Sequence, residues 1–107
     1  MKNIKLIEVA SEIGAGTRGA SLGIEAIKIA ALDYMSNFFI HFPSERIPVD
    51  NNILYEPIQS PYAKRIKGIA SLYDRVSKAV MESLKNNFFP VILSGDHSTA
   101  GATIAGI

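Results

Sequence analysis

The sequence predicts an α/β fold with a parallel sheet between two helical layers, and two observations support this fold class. Two segments rich in branched aliphatic residues, Lys5–Val9 and Phe88–Leu93, have the length and composition of strands. Between them lie two apolar segments with helical spacing, separated by a weaker strand candidate, and a further helix begins after the last strand. The order is therefore strand, helix, strand, helix, strand, helix start. This order predicts right-handed crossovers and a three-layer α/β/α sheet. We expect its three strands in the order 2-1-3.

The first strand runs into a glycine-rich loop and then into a helix. Gly14–Gly19 carries three glycines in six residues, which is typical of a loop. The next apolar residues recur at spacings of three and four and predict one face of a helix packed on the sheet: Ile24, Ile27, Ala31, Tyr34 and Phe38. A weaker second strand is predicted at Arg46–Asp50, in a stretch interrupted by Pro43 and Pro48.

A long second helix is predicted to begin at Ser60-Pro61, because serine caps a helix and proline suits its first position. Asn86-Asn87 would end it. Its apolar stripe comprises Ile66, Ile69, Ala70, Tyr73, Val76, Val80 and Leu84.

The third strand, Phe88–Leu93, is apolar without alternation, which predicts burial on both faces of the sheet. Ser94–Ser98 is polar and predicts a turn, and Thr99–Ile107 begins a helix of small residues. Because this helix is apolar and still needs cover at Ile107, we expect the chain to be part of a longer protein.

Composition excludes several classes of protein. The chain has 107 residues, a net charge of +1 and no cysteine, so it predicts one ordinary domain without disulfides and without a strong field for nucleic acid or membranes. Tyr55, Tyr62 and Tyr73 lack the spacing of a base-stacking platform, so nucleic-acid binding is unsupported. The N-terminal residues resemble neither a signal peptide nor a membrane span, and a cytoplasmic protein is expected.

The segment with the clearest chemistry is Ser94-Gly95-Asp96-His97-Ser98, between the third strand and the last helix. Ligands of open α/β sheets bind beyond the carboxyl ends of the strands, which is where this segment is predicted to lie. His97 could therefore bind a metal through one ring nitrogen, with the other nitrogen held by a carbonyl or carboxylate. The alternative is a turn histidine beside a helix-capping Asp96 or Ser98.

This segment resembles the Gly-Gly-Asp-His-Ser motif of the arginase, agmatinase and formimidoylglutamase superfamily. Gly16–Ala20, followed by Gly23–Lys28, is also similar to the first loop and helix of that family. Ser94 replaces the first glycine of the motif, and Ile24 stands where arginases commonly have proline. The resemblance implies that residues 1–107 are the N-terminal part of a single arginase-like domain, truncated after the third strand and the start of the following helix.

The resemblance also implies a function for the longer parent protein. The family's histidine at the position of His97 is a metal ligand, with Asp96 and Ser98 beside it, in a binuclear manganese site. The parent would hydrolyse a small guanidino or formimino substrate of the arginine, agmatine or formimidoylglutamate type. The family's Asp-x-His-x-Asp and Asp-x-Asp motifs are absent here, so no catalytic residue is assigned and the 107-residue chain alone is expected to be inactive.

Arg18 lies in the first loop and is a candidate contact for an anionic group of the substrate, the alternative being a solvated loop arginine. An unpaired third strand at the edge of the sheet would favour a homo-oligomer.

Two other functions remain open at this point. Gly14, Gly16 and Gly19 satisfy the G-x-G-x-x-G pattern of dinucleotide-binding Rossmann-like domains. That pattern needs an acidic residue about 20 positions further on, and Phe38–His41 contains none. The second alternative is a non-catalytic α/β interaction module. A parent sequence with Asp-x-His-x-Asp after the next strand would favour the enzyme over the module.

Overall fold

The computed structural model describes residues 3–107 and confirms the predicted fold class. A three-stranded parallel sheet in the order β2-β1-β3 is connected by helices. Short 3-10 turns cover Asn51–Tyr55 and His97–Thr99. The strands and α-helices are β1 (Asn3–Val9), α1 (Leu22–Asp33), α2 (Phe38–His41), β2 (Ser44–Arg46), α3 (Ile66–Lys85), β3 (Phe88–Ser94) and α4 (Ala100–Ala105).

β1 is the central strand and the most deeply buried. It pairs with β3 along its whole length, from Asn3 opposite Phe88 to Val9 opposite Ser94. Leu6, Ile7 and Val9 are fully buried. The three strands end side by side, so the loops that follow them share one edge of the sheet.

β2 lies earlier than Arg46–Asp50, so that prediction is wrong except at Arg46. The Leu6 amide donates to the Pro43 carbonyl at 2.8 Å, and the Ile47 amide donates to the Glu8 carbonyl at 2.9 Å. These bonds extend the ladder on either side of Ser44–Arg46. Pro48 has no N–H to donate, which prevents the ladder from continuing through the predicted segment.

α1 is shorter than its apolar pattern predicts, and its predicted buried face is mostly exposed. The Ser36 amide bonds to the Ala31 carbonyl and the Met35 amide to the Leu32 carbonyl, with Met35 at a φ of 54°. This Schellman-type ending stops the helix at Asp33. Of the predicted face only Ile24 is fully buried, and Phe38 belongs to the separate helix α2.

α3 begins at Ile66, so the predicted start at Ser60-Pro61 is wrong. The Ser60 hydroxyl does accept the Ala63 amide, but it caps only an isolated turn. Arg65 then adopts a left-handed φ of 56°, which interrupts the helical path until Ile66. The predicted end at Asn86-Asn87 is confirmed.

The buried stripe of α3 is rotated about the helix axis relative to the predicted one. Val76 and Val80 are buried as predicted, whereas Ile66, Ala70 and Leu84 are exposed. Ser83 can take a core position because its hydroxyl donates to the Ala79 carbonyl at 2.8 Å. The fully or nearly fully buried residues of α3 are Leu72, Val76, Ala79, Val80 and Ser83.

The main core lies on one face of the sheet, under α3 and α4. Its buried members are Ile7, Val9, Ile47, Leu72, Val76, Ala79, Val80 and Ala102. β3 has the predicted position but is not buried on both faces, since 52% of Phe89 is exposed. β3 lies at the edge of the sheet, with β1 as its one partner among residues 3–107. No helix in residues 3–107 is long and apolar enough to span a bilayer.

Candidate functional site

Three loops meet at the carboxyl edge of the sheet, one after each strand. The Asn51 side chain joins two of them. Its Oδ1 accepts the Glu12 amide at 2.8 Å, and its Nδ2 donates to the Ala10 carbonyl at 2.9 Å. The loop after β1 and the turn after β2 are therefore fixed to each other.

The turn after β3 is held by the carboxylate of Asp96. Its Oδ1 accepts the backbone amide of Ser98 at 2.8 Å and also the Ser98 hydroxyl. Its Oδ2 accepts the Gly14 amide at 3.1 Å, across from the loop after β1. Asp96 thus caps the 3-10 turn His97–Thr99 and links it to the neighbouring loop. This is the geometry of a carboxylate that fixes a turn.

Two glycines permit the close approach of these loops. A Cβ atom on Gly95 would lie 2.3 Å from the Ser11 carbonyl oxygen, and one on Gly14 would lie 2.4 Å from the Ser98 Cβ. Neither position has room for a side chain. Ser94, by contrast, is accommodated, because its hydroxyl donates to the Asp96 carbonyl at 2.8 Å and lies 2.8 Å from the Thr99 hydroxyl.

His97 lies at the start of the turn, on the exposed side. It lines an open cleft of about 330 Å³ beside β3. The cleft is also lined by Ile92, Ser94, Asp96, Thr99, Ala100, Thr103 and Ile104. The imidazole is thus accessible from the carboxyl edge of the sheet, as the strand and turn pattern predicts.

Glu12 is a buried acidic residue of this edge that the sequence analysis did not single out. Only 1% of it is exposed. Its carboxylate accepts the Ser21 amide and hydroxyl, both at 3.0 Å, together with the Gly19 amide and the Arg18 Nε. The amide of Ser21, followed by the other donors, outweighs burial and lowers the pKa of Glu12 to about 2. An acidic residue placed between a buried strand and a glycine-rich loop was the available signal.

Arg18 is one of the hydrogen-bond donors around the Glu12 carboxylate. Its Nε donates to Glu12, and its Nη1 donates to the Tyr55 hydroxyl at 3.3 Å with the guanidinium over the Tyr55 ring. The hydrogen bond to Glu12 raises the pKa of Arg18. Arg18 is about half exposed, and these contacts give it a structural role in the loop.

The glycine-rich loop does not have the donors that a dinucleotide would require. In a Rossmann-like domain the loop amides and the helix N-terminus bind the pyrophosphate. Here the amides of Gly19 and Ser21, just before α1, bond to the protein's own carboxylate at Glu12. This internal anion occupies the place of a phosphate, so the dinucleotide alternative is not favoured.

The described residues do not form a metal centre by themselves. Residues 3–107 contain no group of three or more His, Cys, Asp or Glu side chains placed to hold a metal ion. His97 offers one imidazole, which is a ligand for divalent transition-metal ions and in a manganese site would need carboxylates beside it. The donor chemistry fits one ligand of a larger site, whose remaining ligands would have to come from outside these residues.

Comparison with known proteins agrees with the motif. A model of the arginase family matches residues 2–107. The chain belongs to the arginase family. It is 27% identical to the arginase of Bacillus caldovelox and 26% identical to that of Brevibacillus brevis, covering 100% and 99% of this chain. It spans 36% of the length of each of these relatives.

Solved arginase structures have the same fold over this region. The arginase of Bacillus caldovelox matches with a TM-score of 0.77 and 28% identity, over 100% of this chain and 36% of that one. An arginase of Bacillus subtilis matches with a TM-score of 0.71 and 25% identity, over 98% of this chain and 33% of that one. Membership of the arginase family does not favour the interaction module.

Proposed function

We propose that the protein containing this chain is a manganese-dependent ureohydrolase and that His97 is one of its metal ligands. The substrate would be a small guanidino or formimino compound, and the protein would act in the cytoplasm. Family membership supports the reaction class. The observation that carries the assignment of His97 is its exposed position at the carboxyl end of β3, in a turn fixed by Asp96.

The turn is suited to present an imidazole. Asp96 directly precedes His97, and its carboxylate is held by the Gly14 amide. The same carboxylate accepts the amide of Ser98, which directly follows His97, so the backbone at His97 has little freedom. A ligand on a fixed backbone loses less entropy on binding than one on a free loop. His97 would supply a neutral nitrogen donor, and Asp96 would keep the turn in place.

Manganese, when bound, would lower the pKa of water and stabilise developing negative charge during hydrolysis of the guanidinium or formimino carbon. The chain's own contribution would be to position one nitrogen ligand and to hold the three loops together. Since one imidazole competes poorly with water and protons for such an ion, we expect the 107-residue chain alone to release no urea.

The test is a comparison of the two histidines of this chain, His97 and His41. His41 is also exposed, but it lies on α2 and serves as the matched control. In the full-length protein, His97→Ala should lower manganese affinity by at least about tenfold and remove most of the activity. His41→Ala should change neither.

The measurements are bound manganese, melting temperature, and release of urea or of the corresponding amide product from arginine, agmatine and formimidoylglutamate. Full activity and full metal content in His97→Ala would show that His97 is a turn residue. Absence of hydrolysis of all three compounds by the metal-loaded wild-type protein would contradict the proposed reaction class. Urea release by the 107-residue chain would contradict the proposed need for further ligands.

A further inference from the structure

We propose that Glu12 is a positioning residue for His97, a role that rests on the proposed metal-binding function. Glu12 is placed to act through the loop after β1 and through Asp96, without touching metal or substrate. Three sets of contacts make up this path.

The first set closes the loop. The buried carboxylate of Glu12 accepts hydrogen bonds from Arg18, Gly19 and Ser21, and its carbonyl accepts the amides of Ala15 at 3.1 Å and Gly16 at 3.2 Å. Hydrogen bonds to an ionised acceptor are stronger than neutral ones. Glu12 therefore fixes the path of residues 13–21, which carry no strand or α-helix of their own.

The second set joins this loop to the turn after β3. The Gly14 amide donates to Asp96 Oδ2 at 3.1 Å. Gly14 can reach that position only because it has no Cβ, which would lie 2.9 Å from Asp96 Oδ1 as well as clashing with Ser98. The amide is therefore in place only when the backbone at Gly14, two residues after Glu12, follows this path.

The third set fixes the neighbours of His97. With one oxygen held by Gly14, Asp96 uses the other to accept the Ser98 amide and hydroxyl. The Ser98 carbonyl in turn accepts the Tyr73 hydroxyl from α3. His97 thus lies between two anchored residues, and release of the loop would remove one of the bonds that orient Asp96.

The chain contains a matched control in Glu8. It is a second buried glutamate, 3% exposed, on β1 rather than in the loop after it, and its pKa is also lowered to about 2. Its partners are Lys28 on α1 and Ser44 and Arg46 on β2, none of which belongs to the loops of the site. A loss of stability caused by replacing either buried glutamate can thereby be distinguished from an effect on His97.

The experiment compares Glu12→Gln, Glu8→Gln and wild type in the full-length protein. We expect Glu12→Gln to weaken manganese binding by about tenfold, the range seen when groups supporting metal ligands are removed. Amide exchange at Gly14 and Ser98 should rise by about tenfold, as expected for the loss of one hydrogen bond to a charged group. Glu8→Gln should unfold more easily without either change. Glu12→Asp, which keeps the charge, should recover part of the affinity.

Unchanged metal affinity and unchanged exchange at Gly14 and Ser98 in Glu12→Gln would overturn the proposal. Equal losses of affinity in Glu8→Gln would overturn it too, since the effect would then be one of general stability. If Glu12→Gln does not fold, Ser21→Ala removes a single donor to Glu12 and should give the same changes on a smaller scale. A wild-type protein that binds no manganese would refute the proposed function, whereas the exchange data would still report the link from Glu12 to the turn.

Discussion

The two faces of the sheet are stabilised in different ways. On one face Ile7 and Val9 pack into an apolar core beneath α3 and α4. On the other face Glu8 forms ion pairs, each of 2.7 Å, with Lys28 on α1 and Arg46 on β2. α1 leaves Ile29 and Leu32 largely exposed on that side of the molecule.

The two faces of the sheet are therefore shielded from water to different extents. The α3 face is closed by helices of the chain itself, and its stability comes from apolar burial. The α1 face buries Leu6 and Ile24 but also contains the charged cluster around Glu8, and its helix still has apolar surface in contact with water. Substitutions on the two faces should therefore differ in size and in their dependence on pH.

The largest effect is expected in the core of the α3 face. Leu72→Ala removes a fully buried side chain and leaves a cavity, so the free energy of unfolding should fall by about 2–5 kcal/mol. Leu32→Ala on α1 is the control, because 72% of Leu32 is exposed, and it should change stability by no more than about 0.5 kcal/mol. Urea denaturation measures both. Comparable losses would show that α1 is more closely packed than its exposure indicates.

A smaller loss is expected on the α1 face. Glu8→Gln keeps the shape of the side chain but removes the charge that Lys28 and Arg46 share, which should cost about 1–3 kcal/mol. The control is Asp74→Asn, which breaks only the exposed Asp74–Lys78 pair on α3 and should be nearly neutral. Stability equal to wild type in Glu8→Gln would mean that the cluster contributes nothing net.

The charged cluster should also make the protein sensitive to acid. Burial by itself would raise the pKa of Glu8, but hydrogen bonds from Lys28, Ser44 and Arg46 outweigh it and lower the pKa from 4.5 to about 2. Below about pH 4.5 the unfolded chain binds a proton that the folded chain does not, so stability should fall until about pH 2. Thermal unfolding across this range should show a shallower fall in Glu8→Gln. Parallel curves would contradict this assignment.

The smallest expected effect concerns association of the molecule. Within residues 3–107 the outer edge of β3 has no partner strand, and this strand is apolar, so two copies should pair weakly there. Sedimentation of the 107-residue chain should give a mass that rises with concentration, and Phe89→Lys on β3 should abolish this rise. Leu32→Lys on α1 distinguishes the two exposed surfaces. If it alone abolished association, the α1 face would be the contact, and a monomer at high concentration would exclude both.

The sequence was sufficient to predict the fold class because strand and helix periods alternate clearly along it. The positions of β1 and β3 and the end of α3 follow from local composition, and the parallel order follows from the alternation of strands and helices. The start of α3 does not, because the capping pattern at Ser60 is real but forms only an isolated turn before Arg65. β2 was misplaced because its three residues become a strand only through pairing with β1.

The site was partly predictable for the same reason. The turn containing His97 follows a strong strand signal, so its place at the carboxyl edge could be predicted. Glu12 has only a weak signal, an acidic residue between a strand and a glycine-rich loop, because its role depends on donors from a loop that folds back around it. A family motif can identify a residue such as His97. A residue such as Glu12 is identified from its three-dimensional contacts.

The pairing of β1 with β3 has a consequence for synthesis on the ribosome. Asn3 pairs with Phe88 and Val9 with Ser94, so β1 must wait for β3, which is synthesised much later than β1. Until then the apolar side chains of Leu6, Ile7 and Val9 lack most of their native cover. Contacts so distant in sequence form slowly, and nascent chains in this state are prone to aggregate. The emerging chain should therefore be a client of ribosome-associated chaperones until β3 has left the exit tunnel.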